Sequence, residues 1–323
     1  MSKPIVIIVG KLPPPFIGPA IATKIILDSS LKENFELIHL DTTINKSIDA
    51  FGKNGFKKIG KNISIYLKLF QLLRKHKIDI IQIPISQTTV GFIKDSLFIL
   101  IAALFSVKIL IQLRGANIKN WLNSSSTLTK SYVRFCLAKA KGVIVLGNNL
   151  KHLFEDYFTI NQIFVVPNGC DIEIPLIKSP ENQPKVQLLY FSNLLESKGI
   201  KEILEALLLL KNKGVSSFYL NAVGAWYDAN FKEKCLAFVQ ENNLPVSFHQ
   251  PKTKNEKWEF FSNADIFVFT PNQPEGHPWS IIEALAAKLP IISTNQGAII
   301  ESVIDGKNGY IVDNNSHKQI AEK

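Results

Sequence analysis

Short apolar runs alternate with longer stretches in which apolar residues recur at helical spacing, and the alternation continues along most of the 323-residue chain. The short runs are typical of buried strands and the spaced pattern of amphipathic helices. Strands that alternate with helices predict a parallel sheet with helices on both faces. In the first half, the predicted strands are Lys3–Gly10, Phe35–Leu40, Ile78–Ile83, Lys108–Leu113, Gly142–Leu146 and Ile163–Val166, and the predicted helices are Ile21–Leu31, Ile63–His76, Phe92–Phe105, Val133–Ala140 and Asn149–Tyr157.

A second alternating set follows a segment without periodicity, 173–185, which is rich in proline and polar residues. Such a segment is typical of a linker between domains. The predicted strands beyond it are Val186–Ser192, Phe218–Val223, Val246–His249 and Ile266–Thr270, and a predicted helix covers Ala229–Glu241. A chain of this length also exceeds one typical core. The sequence therefore predicts an α/β fold with an N-terminal domain 1–172, a linker 173–185 and a C-terminal domain 186–323.

The most informative stretch for function is Pro271–Pro290, which begins as a proline-rich loop and continues as a helix and a short β-branched strand. Ile282, Leu285 and Ala286 have the spacing of one apolar helix face. Together with the strand before it, the stretch forms a βαβ unit whose loop lies at the carboxyl end of a strand, where open parallel sheets bind ligands. The loop carries Glu275 and the helix carries Glu283.

Two interpretations of this carboxylate pair are open. In the first, Glu283 is solvated on the exposed helix face and Glu275 is an ordinary loop charge, since charged residues are mostly exposed. In the second, the pair belongs to a ligand site. Gly276 allows a ligand to approach the backbone, and the helix N-terminus supplies free N–H donors that suit an anion. The context favours the second interpretation.

The segment EGHPWSIIEALAAKLPIISTNQGAIIESVIDGKNGYIV resembles the nucleotide-sugar signature of retaining glycosyltransferases of family 4. Two glutamates with seven residues between them, an alanine-rich helix end, a P-I-I-S-T strand and a D-G-x-N-G turn match in order. The resemblance implies the GT-B fold, in which two Rossmann-like domains with parallel sheets face a central cleft. One departure is Lys288, because such enzymes usually carry glycine at this helix end.

The resemblance also implies roles for individual residues. Glu275 would hold donor-sugar hydroxyls, with backbone N–H groups near His277 beside it, and Glu283 would accept hydrogen bonds from the ribose. Lys198 would grip the donor diphosphate. The implied catalytic set is Glu275, Lys198 and Arg114, and the implied donor-binding set is Gly18, Asn193, Lys198, Gly224, Glu275, Gly276, His277, Pro278, Trp279 and Glu283. For His277 we expect the backbone to matter more than the imidazole.

Two positions depart from the family pattern at the donor phosphates. Asn193 stands where arginine is frequent, and Arg114 stands where a histidine commonly contacts the donor sugar. Arginine grips phosphate or carboxylate through paired hydrogen bonds, so Arg114 offers compensation for the arginine missing at 193. The alternatives are that Arg114 and Lys198 are surface cations. The loop after the first strand keeps only Gly18 of the family's glycines and lacks G-x-G-x-x-G, so it does not predict dinucleotide binding.

The resemblance implies a hexosyltransferase that moves a sugar from a nucleotide diphosphate sugar to a glycan or lipid-linked acceptor with retention of configuration. Cell-surface polysaccharide or glycolipid synthesis is the expected setting. We expect no metal and no cofactor, because no Asp-x-Asp motif stands where a metal would be needed. Two alternatives remain open: an inactive truncated remnant, because the chain ends as a helix begins and the family's later helices are missing, and a nucleotide-sugar 2-epimerase of the same fold.

Charge and cysteine content bear on location. The net charge is +10, and the segment 51–77 combines eight lysines and arginines with no acid and an interleaved apolar face. This pattern predicts contact with an anionic membrane surface, with an ordinary amphipathic helix as the alternative. Nucleic-acid binding is not expected, because no nucleic-acid-binding signature is present. Three dispersed cysteines and no signal-peptide pattern favour the cytoplasm, including the inner face of the plasma membrane.

The longest apolar stretch, Leu97–Leu113, contains Lys108 and falls short of a membrane-spanning helix. We therefore predict that it is a buried helix end followed by a buried strand. A single transmembrane span is the minority alternative.

Overall fold

The structure is a computed structural model that describes residues 3–14, 17–43, 55–170 and 185–323. The chain divides into two compact units, Met1–Pro167 and Asn168–Lys323. Most of the predicted linker, 173–184, lies outside the described residues, as does the start of the basic segment 51–77. The predicted domain limits at 172 and 186 stay a prediction.

The first unit is built on a parallel sheet, which has six strands among the described residues, in the order β2-β1-β3-β4-β5-β6. The strands are β1 (Ile5–Gly10), β2 (Glu36–Asp41), β3 (Ile80–Ile85), β4 (Lys108–Leu113), β5 (Gly142–Val145) and β6 (Ile163–Val165). The helices are α1 (Gly18–Asp28), α2 (Leu31–Asn34), α3 (Gly55–Lys75), α4 (Thr89–Leu104), α5 (Ile118–Ser124) and α6 (Thr127–Leu137). Every residue of β5 is buried, as expected for a parallel strand covered on both faces.

The second unit repeats this plan with the strand order β12-β11-β10-β7-β8-β9, again over the described residues. The strands are β7 (Val186–Phe191), β8 (Phe218–Val223), β9 (Val246–His249), β10 (Ile266–Phe269), β11 (Ile291–Thr294) and β12 (Gly309–Val312). The helices are α7 (Ile200–Asn212), α8 (Ala229–Glu241), α9 (Lys254–Asn263), α10 (Trp279–Ala286), α11 (Ile299–Ser302) and α12 (His317–Glu322). The predicted α/β fold with two Rossmann-like parallel sheets is confirmed.

In both sheets the order of the strands reverses direction at one point. The chain passes from β1 outward to β2 and then returns to place β3 on the other side of β1. In the second unit it passes from β7 through β8 to β9 and then places β10 on the other side of β7. The loops after the two central strands part at such a switch point and leave a crevice at the carboxyl edge, where open α/β sheets bind ligands.

Some predicted elements differ from the structure. The predicted helix Asn149–Tyr157 is instead a short 3-10 helix over Asn148–Leu153, and α3 begins eight residues before the predicted Ile63. Helices α5 and α9 and strand β12 were not predicted. In α9 three aromatic residues lie close together between charged residues, which obscures the helical period. The apolar stretch Leu97–Leu113 contains the end of α4 and all of β4, as predicted.

No helix in the described part of the chain combines the length and apolar character that crossing a bilayer requires.

Helix α10 buries a different face from the predicted one. Ile281 and Ala284 are fully buried, whereas the predicted Ile282, Leu285 and Ala286 are only partly buried. The helix ends in a Schellman motif, because Leu289 donates its N–H to Ala284 O (3.0 Å) and Lys288 donates its N–H to Leu285 O (2.9 Å). This motif puts Lys288 in the left-handed conformation at φ 59°, which normally favours glycine.

Lys288→Gly should therefore stabilise the protein. A lysine side chain in the left-handed region costs about 1 kcal/mol relative to glycine, and Lys288 is exposed, so little packing is lost. We expect a gain of roughly 0.5–1 kcal/mol in the free energy of unfolding, measured by urea denaturation. The matched control is Lys307→Gly, at an exposed position without positive φ, which should lower stability. A loss of stability in Lys288→Gly would contradict the strain.

Candidate active site

Lys198 and Glu275 meet at the switch point of the second sheet. Lys198 ends a 3-10 helix, Glu196–Lys198, in the loop after β7, and Glu275 lies in the loop after β10. The lysine Nζ donates a hydrogen bond to the Glu275 carboxylate, and both side chains are largely buried. The structure thus brings together the two residues that the resemblance assigns to the donor diphosphate and the donor sugar.

A glycine fixes the approach of these two loops. Gly199 has φ 82°, and a Cβ at this position would overlap the carbonyl oxygen of Thr270 at the end of β10. Thr270 Oγ1 donates to Gly199 O (3.3 Å), and Asn272 N donates to Ser197 O (3.2 Å). Lys198 and Gly199 therefore have different parts here: the lysine supplies charge, and the glycine lets the loops touch.

Glu283 lies within the fold rather than on its surface. It is 7% exposed, which excludes the interpretation that it is a solvated helix charge. Its Oε1 accepts a hydrogen bond from Lys257 Nζ on α9 at 2.5 Å. Burial raises the pKa of the Glu283 carboxyl, and the adjacent Lys257 opposes that rise. Sequence reasoning missed Lys257, because α9 itself was not predicted and nothing in the local sequence pairs residues 26 positions apart.

The imidazole of His277 is buried and has a partner on each nitrogen. Nδ1 accepts the N–H of Asn168 (3.1 Å), so the proton lies on Nε2, which donates to Ser302 Oγ (2.7 Å). Asn168 Nδ2 also donates to the His277 carbonyl (2.6 Å). Burial lowers the pKa of His277, which keeps the ring neutral as this pattern requires. The ring therefore holds the site loop in place. That the backbone of His277 matters more than its imidazole for donor binding stays a prediction.

The loop that carries Glu275 packs tightly against the loop after β11. Ala298 N donates to Gly276 O at 2.8 Å. Gly297 has φ 55°, and a Cβ there would overlap the carbonyl oxygens of Glu275 and Gly276. Sequence reasoning missed Gly297, although the N-Q-G turn signal was visible after the P-I-I-S-T strand.

The remaining predicted donor residues of the second unit lie near the same strand ends. A Cβ on Gly224, just after β8, would overlap Ser192 O and approach the Asn193 Cα at 3.3 Å, so Gly224 and Asn193 are neighbours. Tyr190 donates its hydroxyl to Asn193 O (2.8 Å). Pro278 is the N-cap of α10, and the partly buried Trp279 is its first residue.

Gly18 and Arg114 lie in the first unit. Gly18 is the first residue of α1, and Arg114 directly follows β4. Arg114 Nη1 donates to Pro19 O at 3.3 Å, so the structure places it close to the α1 start. Burial lowers the pKa of Arg114 to about 10, and the guanidinium stays charged at neutral pH. It is therefore not a plain surface arginine. Its predicted action on the donor diphosphate stays a prediction.

Within the described residues, no group of three or more His, Cys, Asp or Glu side chains is arranged to hold a metal ion.

Lys257→Met should destabilise the protein strongly, because it leaves the Glu283 carboxylate buried without its cation. We expect a loss of about 3 kcal/mol in the free energy of unfolding at neutral pH. The loss should shrink as the pH falls, because the unpaired, buried carboxyl has a pKa above its unfolded value and binds a proton in the folded state. Urea denaturation across the range from about pH 7 to pH 5 measures both effects.

Two controls make this prediction specific. Lys252→Met breaks the ion pair with Glu256, which is 65% exposed, and should cost less than about 1 kcal/mol. Adding Glu283→Gln to Lys257→Met should recover part of the loss and remove its pH dependence. A pH-independent loss in Lys257→Met would show that packing rather than charge is responsible.

Comparison with known proteins shows what the chain is similar to. Residues 171–323 match the family model for glycosyl transferases group 1. The capsular polysaccharide biosynthesis glycosyltransferase CapM of Staphylococcus aureus is 27% identical over 210 residues, which are 61% of this chain and 53% of that protein. The chain thus spans about half the length of this curated relative.

Solved structures show the same fold over the whole chain. A glycosyltransferase from Rickettsia africae ESF-5 has a TM-score of 0.70 at 20% identity and covers 100% of this chain and 87% of its own. Anabaena Alr3699/HepE in complex with UDP-glucose has a TM-score of 0.70 at 15% identity, over 98% of this chain and 88% of its own. At these identities the likeness shows the fold alone. Residues 171–323 are thus similar to glycosyl transferases group 1, and the chain has the GT-B fold.

Proposed function

We propose that the protein is a retaining glycosyltransferase of family 4, which transfers a sugar from a nucleotide diphosphate sugar to a glycan or lipid-linked acceptor in polysaccharide synthesis. The similarity to the capsular polysaccharide enzyme CapM supports the setting. The observation that carries the proposal is the pair formed by Lys198 and Glu275 at the switch point of the second sheet.

This pair suits the two halves of a nucleotide sugar. A lysine binds a diphosphate as a point charge, and a carboxylate accepts hydrogen bonds from sugar hydroxyls. Without a ligand, Lys198 and Glu275 offset each other's charge in their ion pair. A bound diphosphate competes for Lys198 and releases the oxygen of Glu275 for the sugar. Both groups are largely shielded from water, which strengthens their interactions with a bound donor.

Glu283 complements this pair from α10. Lys257 holds one carboxylate oxygen, and the ion pair fixes the orientation of the group. The other oxygen is the proposed acceptor for the ribose hydroxyls. The neutral His277 and the closely packed Gly297 support the same loop, so the site is rigid before the donor arrives. Such preorganisation lowers the ordering cost of binding.

In the proposed reaction, the bond between the anomeric carbon and the diphosphate oxygen breaks, and the acceptor hydroxyl forms a bond to the same carbon on the same face. The electron pair of the broken bond goes to the diphosphate, and its departing oxygen takes the proton that the acceptor hydroxyl loses. Lys198 offsets the negative charge that grows there, which is electrostatic stabilisation of the transition state. We propose that this lysine takes the place of a metal, so that the reaction needs neither metal nor cofactor.

The nucleotide site is tested by thermal unfolding with UDP, GDP, ADP, CMP and dTDP, each with and without magnesium. A ligand at about one hundred times its Kd stabilises by roughly 2.7 kcal/mol, which raises the Tm by several degrees. We expect one nucleotide to raise the Tm without magnesium. Lys198→Met should lose most of that shift, because it removes the cation that faces the diphosphate.

The matched control is Lys201→Met, three residues further on, whose side chain is 52% exposed and pairs only with an exposed glutamate. It should keep the full nucleotide shift. An equal loss in both variants would show that general positive charge, rather than Lys198, binds the nucleotide. No shift with any nucleotide in the folded wild-type protein would contradict the proposed function.

We further propose that the first unit contacts an anionic membrane through a surface formed by α3 and α4. The helices pack through Tyr66–Phe98 and Phe70–Phe105 ring contacts. Their outer faces expose apolar residues at helical spacing: Ile63, Leu67 and Phe70 on α3, and Val90, Ile93, Leu97 and Leu104 on α4. Lys68, Arg74 and Lys75 are exposed on α3. An apolar face with flanking cations suits the interface of an anionic bilayer.

Membrane contact is tested by co-sedimentation with phosphatidylcholine vesicles that contain or lack phosphatidylserine. The wild-type protein should sediment with the anionic vesicles and lose this binding at high salt. Replacing Leu67 and Leu97 together by asparagine should weaken sedimentation, because both insert apolar surface. Leu128→Asn, at an 81% exposed position on α6, is the matched control and should leave it unchanged. Equal binding by all three proteins would contradict this surface.

A further inference from the structure

A cavity of about 210 Å³ lies at the carboxyl edge of the first sheet, at its switch point. The residues that directly follow four neighbouring strands line this cavity: Thr42 after β2, Lys11 after β1, Ser86 after β3 and Arg114 after β4. Helix α4 adds Lys94 and Asp95. The cavity is lined entirely by residues of the first unit, whereas Lys198 belongs to the second.

The lining has an excess of positive charge. Lys11, Lys94 and Arg114 face one carboxylate, Asp95. That carboxylate is already engaged, because it accepts hydrogen bonds from Ser86 N (2.9 Å) and Ser86 Oγ (2.5 Å) and pairs with Lys94 at 3.6 Å. With Asp95 ionised, the cavity carries an excess of two positive charges. A bound anion would offset this excess positive charge.

The guanidinium of Arg114 lines this cavity. Its Nε is buried and has no hydrogen-bond partner among the residues that the structure describes, while Nη1 donates to Pro19 O. A buried donor without a partner is costly and rare in folded proteins. Thr23 Oγ1 also donates to Pro19 O (2.9 Å), which holds this carbonyl and thus Arg114 in place. Because Pro19 O uses only one of the five guanidinium N–H donors, Arg114 keeps further donors for an acceptor group in the cavity.

The electrostatics of the neighbouring groups agree with an anion. Burial and the adjacent Lys94 lower the pKa of Lys11, and burial lowers the pKa of Arg114 to about 10. Burial thus disfavours the charged form of both groups, and Asp95 only partly opposes this effect at Lys11. Helix α1 also begins beside the cavity, with Pro19 in its lining, and its first turn contains no acidic residue. The positive end of the helix dipole therefore adds to the attraction for an anion.

The volume of the cavity limits the size of the ligand that can bind in it. Pockets for drug-sized ligands measure about 300–1,000 Å³, so a cavity of about 210 Å³ is too small for a complete nucleotide sugar. A single phosphate or carboxylate group with a few attached atoms fits. Arginine and lysine are the side chains that bind these two oxyanions most strongly.

We propose that this cavity binds a phosphate or carboxylate group through Lys11, Lys94 and Arg114, and that the sugar acceptor carries this group. The second half rests on the proposed function, whereas the oxyanion site itself does not. The site gives Arg114 a role in the first unit that is different from the grip on the donor diphosphate suggested by its sequence position.

Isothermal titration calorimetry with inorganic phosphate and with glucuronate tests the site, at constant ionic strength in chloride. The wild-type protein should bind one of them, and the tighter ligand identifies the oxyanion. Arg114→Gln and Lys94→Gln should each weaken binding at least about ten-fold, because each removes a charge-assisted hydrogen bond. Lys94 is partly exposed, so its variant tests the site even if Arg114→Gln does not fold.

Two further variants locate the binding. Lys108→Gln removes a cation from the exposed first position of β4, the strand that ends before Arg114, and should change affinity less than about two-fold. Lys198→Met should retain phosphate binding. Absence of binding by both oxyanions, unchanged affinity in both cavity variants, or loss of affinity only in Lys198→Met would overturn the proposal.

A parallel titration with UDP and the other nucleotides separates this proposal from the proposed function. Phosphate binding that depends on Arg114, without binding of any nucleotide, would support the oxyanion site and contradict the glycosyltransferase. Nucleotide binding that depends on Lys198, without any oxyanion binding at the cavity, would support the glycosyltransferase and contradict the oxyanion site.

Discussion

The close approach of the two loops after β7 and β10 is the constraint on which the candidate site depends. Gly199 in a left-handed conformation lets its loop touch Thr270, and this contact brings Lys198 to Glu275. Any side chain at 199 would separate them. The strand order leaves a crevice at the carboxyl edge of the sheet, and Gly199 allows the two loops to approach each other there. The two charged groups therefore meet where an open parallel sheet binds ligands.

Buried polar groups around this pair hold the loop in one conformation. Lys257 compensates the buried carboxylate of Glu283, and a neutral His277 joins Asn168 to Ser302. A buried ion pair adds little net stability, but it makes alternative arrangements costly because each would leave a charge unpaired. We infer that these groups serve the geometry of the site more than the stability of the fold.

The first unit uses the same topology for different chemistry. Its switch point also places polar residues directly after neighbouring strands, but there the cations that line the cavity outnumber the carboxylates. In the second unit the cation already has an internal partner. The same fold thus offers one site in which a ligand must displace an ion pair and one in which a ligand would complete the charge balance.

The sequence by itself determined the fold class, most strands and the loops that carry Lys198 and Glu275, because buried parallel strands are continuous apolar runs and glycine, proline and motif spacing mark the loops between them. It did not determine the buried face of α10, the helix α9 or the partners Lys257 and Ser302. These depend on contacts between residues far apart in the chain, which no local period encodes. The tertiary structure alone placed Arg114 in a cavity with Lys11 and Lys94, because four neighbouring strands and a helix converge there.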